Sequence, residues 1–361
     1  MRHIKELDGL RGLMSLWVVI GHSVSSLPRF SFDVPQSLYV SQAVDVFIIL
    51  SGFVITLSLN KRYDIKGYAI SRALRIYPLY LFVLTLSICI MPLLQSSLEI
   101  FGSGNSIPRR LEIITNYYSQ QGKHILSHVF LLQGLIPNSI LPDANLTLVP
   151  QAWSISLEAQ FYVLAPFVVF AFSYRNTVGI IFGSVLCAAL IAFSSGYSDG
   201  FIGLAIPEFS IGVLSYYILK SHYALNAKLC ALFILSMLLS FIDDKSAFPF
   251  ILWFAVILSA LIFPLSKYNI LSRILNSNPV QYLGKISYSV YLLHLIILFV
   301  MLRFFSQYKG FQLTYYVLPI TVIALTVLAS SVTYRFIELP FMNIAKKMSN
   351  KKSSFIASRG T

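Results

Sequence analysis

The sequence has 361 residues, 57% hydrophobic and 11% charged, with a formal net charge of +13 and a mean hydropathy of +0.74. A soluble domain of this size needs more charged surface than this composition supplies, so a soluble globular protein is excluded. Apolar runs of roughly 16 to 22 residues, the length a helix needs to cross a bilayer, recur from end to end. They lack the period-2 alternation of a barrel strand. The basic residues sit between these runs, which makes membrane topology rather than nucleic acid the reason for the charge. The three cysteines, Cys89, Cys187 and Cys230, fall inside apolar runs and suggest neither a disulfide framework nor a metal site.

Arg2 and Lys5 precede the first apolar stretch, as in a leader peptide, but Asp8 and Arg11 interrupt the approach and no small-residue cleavage site follows. The stretch reads as a retained helix. The pattern predicts an all-α, polytopic membrane bundle with helices near 12–28, 41–60, 76–95, 153–173 and 177–194. Five more are predicted near 201–219, 229–242, 248–266, 286–305 and 314–335, the short 229–242 span being the weakest signal. Ten helices put both termini on one side. With the termini in the cytoplasm, 20 of the 27 Lys and Arg fall at or near cytoplasmic ends, among them Arg62, Arg175, Lys220, Lys228, Lys267 and Arg273. An eleventh apolar stretch, 125–140, would invert every later helix if it crossed, so it reads as a re-entrant or surface-lying segment. It belongs to a long outer connection that begins with polar sequence. Residues 1–345 form one transmembrane domain, and 346–361 form a basic cytoplasmic tail, expected to be disordered and placed to lie against anionic lipid. Gly179 and Gly183 make a small-xxx-small pair of the helix-packing kind.

An ionisable residue at membrane depth needs a partner, a cavity or a function. His22, Asp45, Glu158, Glu208, His294 and Glu338 stand out. Arg11 and His22 are 11 residues apart, about three turns, and so share one face of the first helix about 16 Å apart along its axis. Asp8, three residues before Arg11, can pair with it. Asp45 and Glu158 enter from the same side as His22, and a carboxylate beside an imidazole fixes its tautomer and raises its basicity, as a general base requires. Ser154, Glu158, Gln160 and Tyr162 form a polar cluster in an apolar span. Arg72 and Arg75 are neighbours on one helix face and, with Lys61, Arg62 and Lys66, form a basic mouth. Positive-inside topology alone explains such a mouth, although a basic pair can also hold phosphates. Ser287, Tyr291 and His294 share a face, either as a buried network or as part of a polar cavity. Glu338 reads as a partner for Arg335, and Glu208, after Pro207, as a cavity candidate. Phosphate loops, metal-ligand spacings, nucleotide fingerprints and serine elbows do not occur.

These motifs resemble the integral-membrane acyltransferase-3 family, which O-acylates bacterial surface and extracellular glycans. The matching pieces are LDGLRG at 7–12 with GH at 21–22, DVFIILSGF at 45–53 and RALRIYPLY at 72–80. WSISLEAQFYVLAP at 153–166, ISYSVYLLH at 286–294 and FIELP at 336–340 complete the set, in the family's order. The resemblance implies that His22, in the Arg-x10-His spacing, is the essential histidine and that Arg72 and Arg75 serve the acyl donor. Glu158 matches the acidic residue of the S-x-E-x-Q-F-Y element, while the family's common Glu-Glu-Gln is Glu-Ala-Gln here, so the second acid is absent. The chain resembles the stand-alone form without an SGNH domain, in the bacterial inner membrane.

The expected activity is transfer of an acyl group, acetyl above all, from acyl-CoA to a sugar hydroxyl of a glycan or lipid-linked glycan, with no metal and no nucleic acid. His22 would act as base or acyl acceptor, supported by Asp45 or Glu158, with Arg11, Arg72 and Arg75 on the cofactor's phosphates. Ser154, Tyr162 and His294 are assigned to the substrate cavity. A secondary transporter with a buried His/Asp/Glu relay is the alternative, although no repeated halves are visible. A non-catalytic scaffold is a third reading, which the aligned Arg11 and His22 oppose.

Overall fold

A computed structural model describes residues 4–26, 40–61, 64–101, 107–173, 177–242, 246–262, 268–305 and 312–357. Arg62, Arg175 and Lys267, which bear on the topology, lie outside the described residues. Among those described there is no strand. The chain runs through α1 (Lys5–Ser25), α2 (Val40–Lys61), α3 (Ile65–Phe101), α4 (Ile107–Ser119), α5 (Gln121–Val129), α6 (Trp153–Ser173) and α7 (Thr177–Ala192). It continues through α8 (Ile206–Lys220), α9 (Leu225–Ile242), α10 (Phe248–Ile262), α11 (Ile270–Leu275), α12 (Asn278–Phe305), α13 (Gln312–Thr333) and α14 (Leu339–Ala357). A helix stands at each of the ten predicted places. Seven spans among the described residues are long and apolar enough to cross a membrane, on α2, α3, α6, α7, α8, α12 and the α13–α14 run. Apolar α9 and α10 are shorter, and α1 carries Glu6, Asp8 and Arg11 in its first turns. The protein is a multi-pass helical membrane protein.

The helix boundaries differ from the sequence reading where polar residues continue an apolar helix. α3 starts at Ile65, so Arg72 and Arg75 lie well inside it, and its 37 residues make about 56 Å of helix, nearly twice a bilayer core. α12 likewise starts at Asn278. α14 carries the helix through the Lys-rich stretch to Ala357, where the sequence suggested an unstructured tail. Segment 125–140 does not cross: it holds the end of α5 and a series of turns. The turns pack into the bundle, where Ser156 on α6 donates to the Leu131 carbonyl (2.6 Å) and accepts from the Gly134 amide (3.2 Å).

Central packing depends on α1 against α12 and α2 against α8. Both crossings are made at glycines. A Cβ at Gly12 would stand 2.6 Å from the Gly284 amide nitrogen on α12, and one at Gly212 would stand 2.2 Å from the Ile49 carbonyl oxygen on α2. No side chain fits there, so the backbones touch. Gly183, by contrast, would carry a Cβ with nothing within 4 Å, and α7 has no buried residue. The predicted packing role of the Gly179/Gly183 pair fails at Gly183 because α7 lies at the bundle's edge.

Gly12→Ala should force α1 from α12 and cost about 1–3 kcal/mol, the usual range for overpacking. Thermal unfolding in detergent checks this, with Gly183→Ala as the variant expected to unfold like the wild type.

Candidate active site

Two of the cavities in the bundle hold the histidine and arginines singled out above, and they share no lining residue. The first, about 330 Å³, is lined by Arg11, Arg72 and Arg75, with Lys346 at its edge and Glu158 as its single carboxylate. Helical spacing explains how these residues meet. Ser154, Glu158 and Tyr162 follow at i, i+4 and i+8 on α6 and all line this cavity. Gln160 points elsewhere, donating to the Gly200 carbonyl (2.7 Å) and accepting from the Ile202 amide (3.0 Å). The polar cluster read from the sequence is thus two structures, a cavity wall and a clamp.

Glu158 accepts hydrogen bonds from Tyr162 (2.6 Å) and Ser51 (2.8 Å). Ser51, on α2, was not singled out in the sequence. Arg72 lies over the rings of Tyr68 (5.8 Å) and Tyr162 (5.7 Å), and its Nε is buried without a hydrogen-bond partner. Arg75 reaches Met342 Sδ at 3.8 Å. Arg11 meets Asp8, as predicted, at a loose 3.8 Å. Four cations against one carboxylate leave this cavity strongly positive.

The second cavity, about 200 Å³, is lined by His22 and Arg110 among mostly apolar side chains of α3, α12 and the loop before α6. Arg11 and His22 therefore belong to different cavities at opposite ends of one helix. The wall between them contains Tyr291 and His294. Tyr291 lines the first cavity, donates to the Gln151 carbonyl (2.9 Å) and shares a hydrogen bond with Ser154 Oγ (2.7 Å). His294 Nδ1 donates to the Tyr291 carbonyl at 2.7 Å. A carbonyl only accepts, so the proton sits on Nδ1 and Nε2 carries a lone pair. That Nε2 is buried with no hydrogen-bond partner among the described residues. The His294 ring stacks on His22 with centroids 5.3 Å apart and planes inclined by 29°.

The ring neighbour of His22 is thus a second imidazole. Glu158, expected beside it, engages Ser51 and Tyr162 on the wall of the other cavity. Asp45 is 4% exposed in the second turn of α2 and is among the lining residues of neither cavity. Glu208 is fully buried at the head of α8 and likewise lines neither. Glu338 does not turn to Arg335. It accepts a hydrogen bond from Ser289 on α12, because a π-helical turn over Tyr334–Glu338 faces it inward and leaves Arg335 over the Phe336 ring.

A half-buried histidine in one cavity and an arginine-rich cavity further along the same helix lie within the membrane bundle, not in a cleft of a soluble domain. The acyltransferase-3 family, described as an acyltransferase domain, matches residues 4–335, and the chain belongs to that family. Among its relatives, two proteins named "Putative O-acetyltransferase", from Staphylococcus aureus strains MRSA252 and COL, are each 26% identical over 99% of this chain and 60% of their own length. O-acetyltransferase OatA of S. aureus strain MRSA252 is 24% identical over 98% of this chain and 60% of its own. The chain thus spans about three fifths of the length of these relatives. No solved structure matches it.

Tyr291→Phe should cost about 1 kcal/mol by removing the phenol from Ser154 and the Gln151 carbonyl. Thermal unfolding measures that loss.

Proposed function

We propose that the chain is an O-acyltransferase of the bacterial inner membrane, moving an acetyl group from acetyl-CoA to a hydroxyl of an exported or lipid-linked glycan. The carrying observation is that one helix, α1, sets Arg11 in the arginine-rich cavity and His22 in the other. Positive-inside placement puts the arginine cavity at the cytoplasmic face, with both termini on that side. The donor is made there, whereas exported acceptors lie beyond the membrane. The names of the three relatives cited above, two "Putative O-acetyltransferase" and one "O-acetyltransferase OatA", support the same reaction.

Arg72, Arg75 and Arg11 then hold the donor's phosphates, where guanidinium forks suit phosphate oxygens. The pantetheine arm runs along α1, and the roughly 16 Å from Arg11 to His22 matches the reach it needs. His22 takes the proton from the acceptor hydroxyl as its oxygen attacks the thioester carbon. The C–S bond breaks, an ester C–O bond forms, and the proton passes to the departing thiolate. In the covalent version an imidazole nitrogen of His22 attacks the thioester carbon and the C–S bond breaks, releasing the thiolate; the sugar oxygen then displaces the imidazole, and the hydroxyl proton passes to it. Stacking on His294 holds the imidazole plane. Asp45, about 7 Å from its end of α2, is the carboxylate at matching depth that stabilises a charged imidazole. Glu158 keeps Tyr162 and Ser51 in place against the donor.

His22→Ala, with membrane insertion confirmed, should abolish acylation of surface glycans as measured by mass spectrometry; unchanged acylation would sink the assignment. Arg72→Ala and Arg75→Ala should each raise the KM for acetyl-CoA at least tenfold. A fall in kcat with KM unchanged would remove the arginines from donor binding.

A further inference from the structure

We propose that the second cavity seats the acceptor and that Arg110 anchors it there through an anionic group, a carboxylate or a phosphate close to the acylated sugar. This deepens the acyl-transfer reading and rests on it, naming the class of acceptor. The argument begins with two adjacent arginines on α4. Arg109 is neutralised, pairing with Glu112 at 2.9 Å and with Asp143. Arg110 has no hydrogen-bonding or ionic partner among the described residues, and its guanidinium lies 5.5 Å over the Phe299 ring. It lines the cavity shared with His22.

An unpaired guanidinium among apolar walls is costly. In the proposed topology it also stands at the outer end, where basic residues are disfavoured. Topology therefore does not explain Arg110, as it could Arg72 and Arg75. An anion bound there would be held strongly, because the apolar surroundings screen the pair less than water does. The cavity is built rather than incidental. Its loop wall is fixed by Ser87 donating to the Leu148 carbonyl and by Thr147 Oγ1 bonded to His124 Nδ1 at 3.1 Å. At about 200 Å³ it is smaller than the roughly 300–1,000 Å³ pockets that enclose whole ligands. It suits one unit of a longer acceptor whose remainder lies outside.

The test is equilibrium binding to the full chain in lipid nanodiscs, with saturating coenzyme A present to fill the arginine cavity. The probe is fluorescent hexagalacturonate, compared with fluorescent maltohexaose, and unlabelled polyprenyl-phosphate-linked hexose is the competitor. Hexagalacturonate should bind at least tenfold more tightly than maltohexaose. Displacement by the lipid-linked sugar would identify phosphate as an equivalent anion; no displacement would assign the site to polymer carboxylates. Arg110→Ala and Arg110→Gln should each lose at least tenfold in hexagalacturonate affinity, while Arg110→Lys keeps part of it, and all three should bind acetyl-CoA like the wild type. Equal affinity for the neutral probe, binding that survives Arg110→Gln, or parallel loss of acetyl-CoA binding in both neutral variants would overturn the proposal. So would failure of both anionic probes to bind. Because the test reads binding alone, acid-selective binding together with unchanged glycan acylation in His22→Ala would refute the reaction and leave the anion site standing.

Discussion

The backbones of α1 and α12 meet where neither helix carries a side chain, at Gly12 and Gly284, and the chemistry of the bundle depends on that contact. Two helices whose backbones touch near one end are fixed in rotation and height along their length. Ten residues beyond Gly12 on α1, and ten beyond Gly284 on α12, stand His22 and His294. Their rings lie 5.3 Å apart. The α2–α8 crossing, made at Gly52 and Gly212, similarly fixes the face of α2 that brings Ser51 to Glu158. Close glycine packing thus places polar groups in a bundle that has little hydrophobic drive to hold helices together.

Charge is distributed to match. The first cavity collects Arg11, Arg72, Arg75 and Lys346 around one carboxylate, and the second holds one cation, Arg110, beside His22. Between them Tyr291 and His294 form a wall in which the Tyr291 phenol bonds Gln151 and Ser154 and its carbonyl orients His294. In the proposed reaction this wall separates donor from acceptor, with His22 on the acceptor side. An acyl group can then change sides without its carrier crossing the membrane.

Features set by periodicity were legible in the sequence. A helix at each of the ten predicted places followed from run length. Glu158 as a cavity carboxylate followed from its cost in an apolar span. Interactions between helices distant in sequence were not legible, because no spacing rule connects them. The stacking of His22 on His294, the bond from Ser51 to Glu158 and the seat of Arg110 are all of this kind. Boundaries failed for a related reason: Arg72 and Arg75 sit inside α3, since a helix continues through charged residues that end an apolar run. Arg110 did leave one sequence signal, as an arginine on the side where the positive-inside rule disfavours it, next to another with the same property.

The central claim is that the acyl group passes His22 from one membrane face to the other. The direct measurement uses inverted inner-membrane vesicles containing the protein, with acceptor glycan enclosed and radiolabelled acetyl-CoA supplied outside. The account predicts label on the enclosed glycan, with the external acetyl-CoA remaining outside and none of the transfer surviving in His22→Ala vesicles. Label confined to acceptor added on the same side as acetyl-CoA would contradict it.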